Sequence, residues 1–121
     1  MKSQAYHMSM LFDFYGEILT ERQKEFYDLY YNEDLSLGEI AQNSQITRQG
    51  VRDVIVRAEH TLSDIEDKTG LIKRFHAMRS CITTLEGQVE QLQRMTNKYD
   101  DPSLESLVGE VRETIALMQK E

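Results

Sequence analysis

Thr47, Arg48, Gln49, Arg52, Asp53 and Arg57 are the residues of this chain whose types and spacing could do chemistry on a ligand, and the ligand would be nucleic acid. Arginine and glutamine have the donors and acceptors that distinguish base edges in the major groove, and arginine also neutralises phosphate. The apolar residues among them, Val51, Val54, Ile55, Ala58 and Leu62, recur with a 3.6-residue period, which leaves Arg48, Gln49, Arg52, Asp53 and Arg57 on the outer face of one helix. The plain alternative is a face that is only solvated. No catalytic constellation stands beside this set. The glycines at 16, 38, 50, 70, 87 and 109 are isolated, so no loop is built to cradle phosphate. His7, His60 and His76 are scattered, without the paired spacing of a metal site. His60 and Asp64 read as a surface contact and Asp100-Asp101 as helix capping, and the lone Cys81 gives no evidence of a redox switch. Neither an enzyme nor a cofactor, a metal or a small-molecule substrate is expected.

A helix-turn-helix over about 36–62 must position these residues. Ser36 followed by Glu39 is a capping box that opens a helix carrying Leu37, Ile40 and Ala41 inward. Asn43 to Ile46 is short enough only for a tight turn, after which Thr47 caps the second helix. In such a motif the outer face of the second helix enters the major groove.

Upstream, residues 1–7 read as frayed, and Leu11, Phe12, Tyr15, Ile18 and Leu19 form a helical stripe with Phe14 off it. Thr20 with Gln23 caps a helix to about Tyr31, whose Phe26, Tyr27, Leu29, Tyr30 and Tyr31 suit either core packing or, less simply, a base-stacking platform.

Downstream, the second helix should run to about Asp67, and Gly70 is placed to end or kink it. Leu71, Phe75, Met78, Ile82, Leu85, Val89 and Leu92 then alternate steps of four and three, the seam of a coiled coil, and are the expected dimerisation residues. Asp101-Pro102 reads as N-cap and first residue of a last helix, with Leu104, Val108, Val111, Ile115 and Met118 in the same rhythm. So short a connection predicts an antiparallel hairpin, and two hairpins docked as a four-helix bundle would cover both seams. Gly87 and Gly109 serve either close backbone approach or nothing beyond the surface.

The chain has 121 residues and a formal charge of -7, from 21 acids against 14 bases, which weakens non-specific binding to DNA. Any nucleic-acid surface must therefore be local, and the three arginines with a single acid between Ser44 and Arg57 provide one. One cysteine excludes an internal disulfide and suits a reducing cytoplasm, and no apolar run has the length of a signal peptide or membrane span.

Leu37-Gly38-Glu39-Ile40-Ala41, Ile46-Thr47-Arg48-Gln49 and Val51-Arg52, preceded by Leu19-Thr20-Glu21-Arg22-Gln23, resemble region 4 of bacterial sigma factors. Gly50 and Asp53 depart from that pattern, as does Gln45 at a turn position often given to glycine. A resemblance over almost the whole chain is to the YlxM-like family, carried by Met10-Leu11-Phe12-Asp13-Phe14-Tyr15, Leu29-Tyr30-Tyr31, Asp34 to Ala41 and Thr47 to Val51. That resemblance implies a small bacterial helix-turn-helix protein acting with the signal recognition particle, in a regulatory role without a chemical step.

The expectation is thus an all-α protein. Residues 1–67 form a sigma-region-4-like head and 68–121 a heptad-patterned hairpin or coiled coil for dimerisation. Its partners would be a second copy and a signal recognition particle protein or RNA, with no membrane insertion. A sequence-specific DNA-binding regulator and a scaffold binding only protein are the alternatives.

Overall fold

The computed structural model describes residues 4–120. Among them it contains six α-helices and one 3-10 turn, with no strand. The helices are α1 (Ala5–Tyr15), α2 (Glu21–Tyr31), α3 (Leu37–Ser44), α4 (Arg48–Thr69), α5 (Leu71–Thr96) and α6 (Pro102–Gln119), and the 3-10 turn Gly16–Ile18 follows α1. The chain divides into two compact units, Met1–Ile72 and Lys73–Glu121.

In the first unit, side-chain caps set where the helices begin. Thr20 with Gln23 and Ser36 with Glu39 form reciprocal capping boxes, each satisfying two backbone donors that the helix leaves orphaned. Thr47 accepts from the Gly50 amide at the start of α4, and Gly70 closes it in the left-handed region that glycine takes without strain. Helix α5 resumes at the next residue. The α1 helix begins earlier than the sequence suggests. Ala5 and Met8 pack on the core, and the Met8 carbonyl accepts from the Tyr27 hydroxyl at 2.8 Å. Residues 1–3 of the segment expected to fray lie outside the described residues.

Helix α4 is the hub. Val51, Ile55, Ala58 and Leu62 are fully buried against Leu11, Phe26, Tyr27 and Ile40 from the other helices. The aromatic cluster of α2 is core packing, with Phe12 stacked on Tyr27 at 5.3 Å and Tyr30 edge-on to Tyr31 at 5.0 Å. Ile18 breaks the predicted stripe and lies outward, half-exposed. The 3-10 turn rotates each residue by more than an α-helix does, so Leu19 takes the inward position.

Three tyrosine hydroxyls lock this core at its polar edge. Tyr31 donates to Glu59 at 2.7 Å, and Tyr15 donates to Glu66 at 2.5 Å with Thr69 beside it. The same Glu66 oxygen accepts from the Ile72 amide, which fixes the turn after α4. Burial, reinforced by Glu59, pushes the Tyr27 and Tyr31 hydroxyls well above the ordinary tyrosine range, and burial with Glu66 raises Tyr15.

The second unit is an antiparallel pairing of α5 and α6. Ile82, Val89, Val108 and Ile115 are buried together, with Leu85 and Val111 packed beside them. Asp101 caps α6 and Pro102 occupies its first turn. Gln93 and Arg112 are hydrogen-bonded across the pair. No atom approaches the place where a Cβ would stand on Gly87 or Gly109, so neither serves a close backbone contact.

The raised tyrosines set a pH dependence. In the unfolded chain tyrosine ionises near 10, whereas the native state holds these protons to higher pH, so the native state binds more protons. Their contribution is complete below about pH 10 and is lost as pH rises through the folded values. Stability to urea should therefore fall steadily above about pH 10. In a background with exposed Tyr6 and Tyr99 replaced by Phe, the tyrosinate absorbance of Tyr15, Tyr27 and Tyr31 should appear together with loss of helical circular dichroism rather than before it.

Candidate nucleic-acid interface

Helices α3 and α4 make the helix-turn-helix, and the turn between them is held by Gln45. This residue adopts φ 59° and ψ 39°, the left-handed conformation, and the Ile46 amide returns to the Ala41 carbonyl at 3.1 Å. The left-handed region costs a residue with a Cβ about 1–2 kcal/mol, so glutamine here is strained and glycine would not be.

Thr47, Arg48, Gln49, Arg52, Asp53 and Arg57 are all exposed. Thr47 spends its hydroxyl on the cap of α4. Gln49 and Asp53 lie a turn apart, with the Gln49 Nε2 donating to Asp53 Oδ1 at 2.8 Å. None of the three arginines forms an ion pair with the described residues.

Helix geometry separates their roles. At about 100° per residue, Gln49 and Asp53 fall near the middle of the face opposite the buried stripe, while Arg52 and Arg57 lie on either side of it, roughly 140° apart. Arg48 falls at the margin nearest α3. A Cβ at residue 38 would stand 3.1 Å from the Arg48 Nε, so the guanidinium lies close over the first turn of α3 at Gly38. Tyr30, Ser36, Leu37, Gly38 and Arg48 line a shallow hollow there. The arginines thus do not form one patch but frame a central Gln49–Asp53 pair.

An α-helix with side chains is about 10–12 Å across and the major groove about 12 Å wide. Residues on the centre line of such a helix meet base edges, and those diverging to its sides meet the phosphate ridges. The central row also takes in exposed His60 and half-buried Val56, which continue the spacing 49, 53, 56, 60. The i, i+4, i+7, i+11 interval from Gln49 is the signal in the sequence that would have found them.

The UPF0122 family, described as helix-turn-helix proteins of the YlxM / p13 like type, matches residues 2–101. The chain belongs to this family. A UPF0122 protein of Thermoanaerobacter sp. strain X514 is 36% identical over 108 residues, which cover 89% of this chain and 90% of that protein. One from Listeria monocytogenes serovar 1/2a is 39% identical over 100 residues, covering 83% and 90%. One from Desulforamulus reducens reaches 54% over 68 residues, which are 56% of this chain and 58% of that protein.

UPF0122 membership and the observed caps agree on the helix-turn-helix and hence on an all-α protein. Among the described residues no group of three or more His, Cys, Asp or Glu could hold a metal ion. No helix there is long and apolar enough to cross a membrane.

The strained turn gives a direct test of the motif's geometry. Gln45→Gly should raise stability by up to about 1 kcal/mol, the relief of left-handed strain less the greater freedom of glycine in the unfolded chain. The midpoint of thermal unfolding checks it, with a rise of a few degrees expected at about 4–8 °C per kcal/mol.

Proposed function

We propose that the head binds nucleic acid through the outer surface of α4 and that the chain is a non-enzymatic regulatory or adaptor protein of the cytoplasm. The observation that carries this reading is the set of three exposed arginines, without an ion pair among the described residues, framing Gln49 and Asp53 in the first half of the second helix of a capped helix-turn-helix. Arg48, Arg52 and Arg57 would contact phosphates, Gln49 would meet a base edge, and Thr47 holds the helix start. Asp53 orients Gln49 and opposes binding by its charge.

The resemblance to the YlxM-like family supports a site of action in the signal recognition particle pathway, with the particle's RNA or a protein of the particle as partner. The formal charge of -7 weakens non-specific binding to RNA and DNA alike, so affinity must come from a few local contacts. A sequence-specific DNA-binding regulator is the second reading, favoured by the base-edge geometry of Gln49. Self-association through the α5–α6 hairpin as a homodimer completes the proposal.

Replacing Arg48 and Arg52 together by Ala should leave helicity unchanged and weaken binding to in vitro transcribed signal recognition particle RNA. The log–log salt slope should flatten by roughly 1.5–2, the loss of two phosphate contacts. The same titration with a duplex DNA of mixed sequence separates the two readings. Unchanged affinity and slope for both probes would exclude this surface.

A further inference from the structure

The hairpin of the second unit uses only half of its apolar pattern internally. Ile82 and Val89 of the predicted dimer seam are buried against Val108 and Ile115 of the same chain, and so are not available to a partner. Leu85 and Val111 are half-covered, while Met78, Leu92, Leu104, Leu107 and Met118 remain between 38% and 58% exposed.

These leftover residues share one side. At about 100° per residue, Met78, Leu85 and Leu92 are offset by roughly 50° from the Ile82–Val89 line on α5. Leu104, Val111 and Met118 are offset in the same sense from the Val108–Ile115 line on α6, with Leu107 beyond them. Both helices are right-handed and they run antiparallel, so equal offsets carry both stripes to the same face of the hairpin. The opposite side is polar, lined by Glu86, Glu90, Arg112 and Gln119, with the Gln93–Arg112 bond across it. One hairpin therefore supplies two helices of a four-helix core and leaves the other two to be supplied.

Charge says what supplies them. The half of the hairpin away from its loop, residues 73–85 and 112–120, carries five bases and one acid, and the half containing the loop, 86–111, carries six acids and two bases. Two copies stacked with their loops at the same end would set like charge on like. Two copies with loops at opposite ends set each basic half on the partner's acidic half, twice over by symmetry. We infer that the apolar face formed by Met78, Leu85, Leu92, Leu107, Val111 and Met118 is covered by a second copy of this chain, docked with its loop at the opposite end. This rests on the self-association within the reading above and adds its face and orientation.

Sedimentation equilibrium of the full chain at micromolar concentration should show a dimer that weakens as salt is raised, because opposite charges meet. Leu92→Lys, whose side chain is half-exposed in the single chain, should shift it to monomer with helicity retained; Leu107→Lys does the same from α6 if the first variant misfolds. Orientation is read by energy transfer in a Cys81→Ser background. A donor on a His76→Cys chain is mixed with an acceptor on a second chain carrying either His76→Cys or Lys98→Cys. Transfer should be stronger to position 98, which opposed loops bring roughly 30 Å nearer along the axis. Stronger transfer to position 76, or a dimer that tightens with salt, overturns the orientation and leaves self-association standing. A monomeric wild type overturns both. Nucleic-acid binding is read separately at Arg48 and Arg52, so its failure is distinguishable from either.

Discussion

The first unit depends on one helix being buried along one stripe and solvated along the other. Val51, Ile55, Ala58 and Leu62 of α4 are fully excluded from solvent by α1, α2 and α3. At about 1.5–3 kcal/mol for each large apolar side chain, this stripe is the main attraction holding to α4 three helices that are individually short. The edge of the stripe carries Glu59 and Glu66, and the tyrosine hydroxyls opposite them convert costly half-buried carboxylates into anchors. Because α4 is pinned on one side by core and tyrosines, its other side is presented in a fixed register. Gln49 and Asp53 are central, Arg52 and Arg57 lateral, and Arg48 lies against α3. Rigid support of this kind is what a groove-reading helix requires.

The second unit obeys the opposite logic. Its helices are paired through a single layer of β-branched residues, Ile82, Val89, Val108 and Ile115, and the remaining apolar positions stay open. In the docking inferred above this pair is half of a bundle, and the segregation of bases and acids along it gives that half a direction. So docked, the chain combines a unit that completes its own core with one whose core a second copy completes.

Local chemistry was legible in the sequence and long-range chemistry was not. Thr20, Ser36, Thr47 and Asp101-Pro102 announce helix starts because a cap is a contact within three residues, and Gly70 announces an end for the same reason. The apolar stripe of α4 follows from periodicity alone. The tyrosine–glutamate bonds join residues 28 and 51 positions apart, and nothing in either segment by itself pairs them. Ile18 was misplaced because a 3-10 turn breaks the α period without any marker as strong as proline. The arginines are read from the sequence as one patch, but the helix spreads Arg52 and Arg57 to opposite flanks, and the contact of Arg48 with Gly38 depends on how α3 and α4 cross. The heptad seam is visible as a whole, whereas its division into a layer used within the chain and a layer left open appears only once α6 is seen to take Ile82 and Val89.

The central claim is that the outer surface of α4 is where nucleic acid is held. Amide and arginine side-chain chemical shifts of the isotopically labelled full chain, followed as signal recognition particle RNA is added, test it most directly. The account predicts that perturbations centre on residues 46–57 and on Gly38, with the Arg48, Arg52 and Arg57 side-chain resonances among the most affected. Perturbations confined to residues 73–120, or none at saturating RNA and at equal duplex DNA, would contradict it.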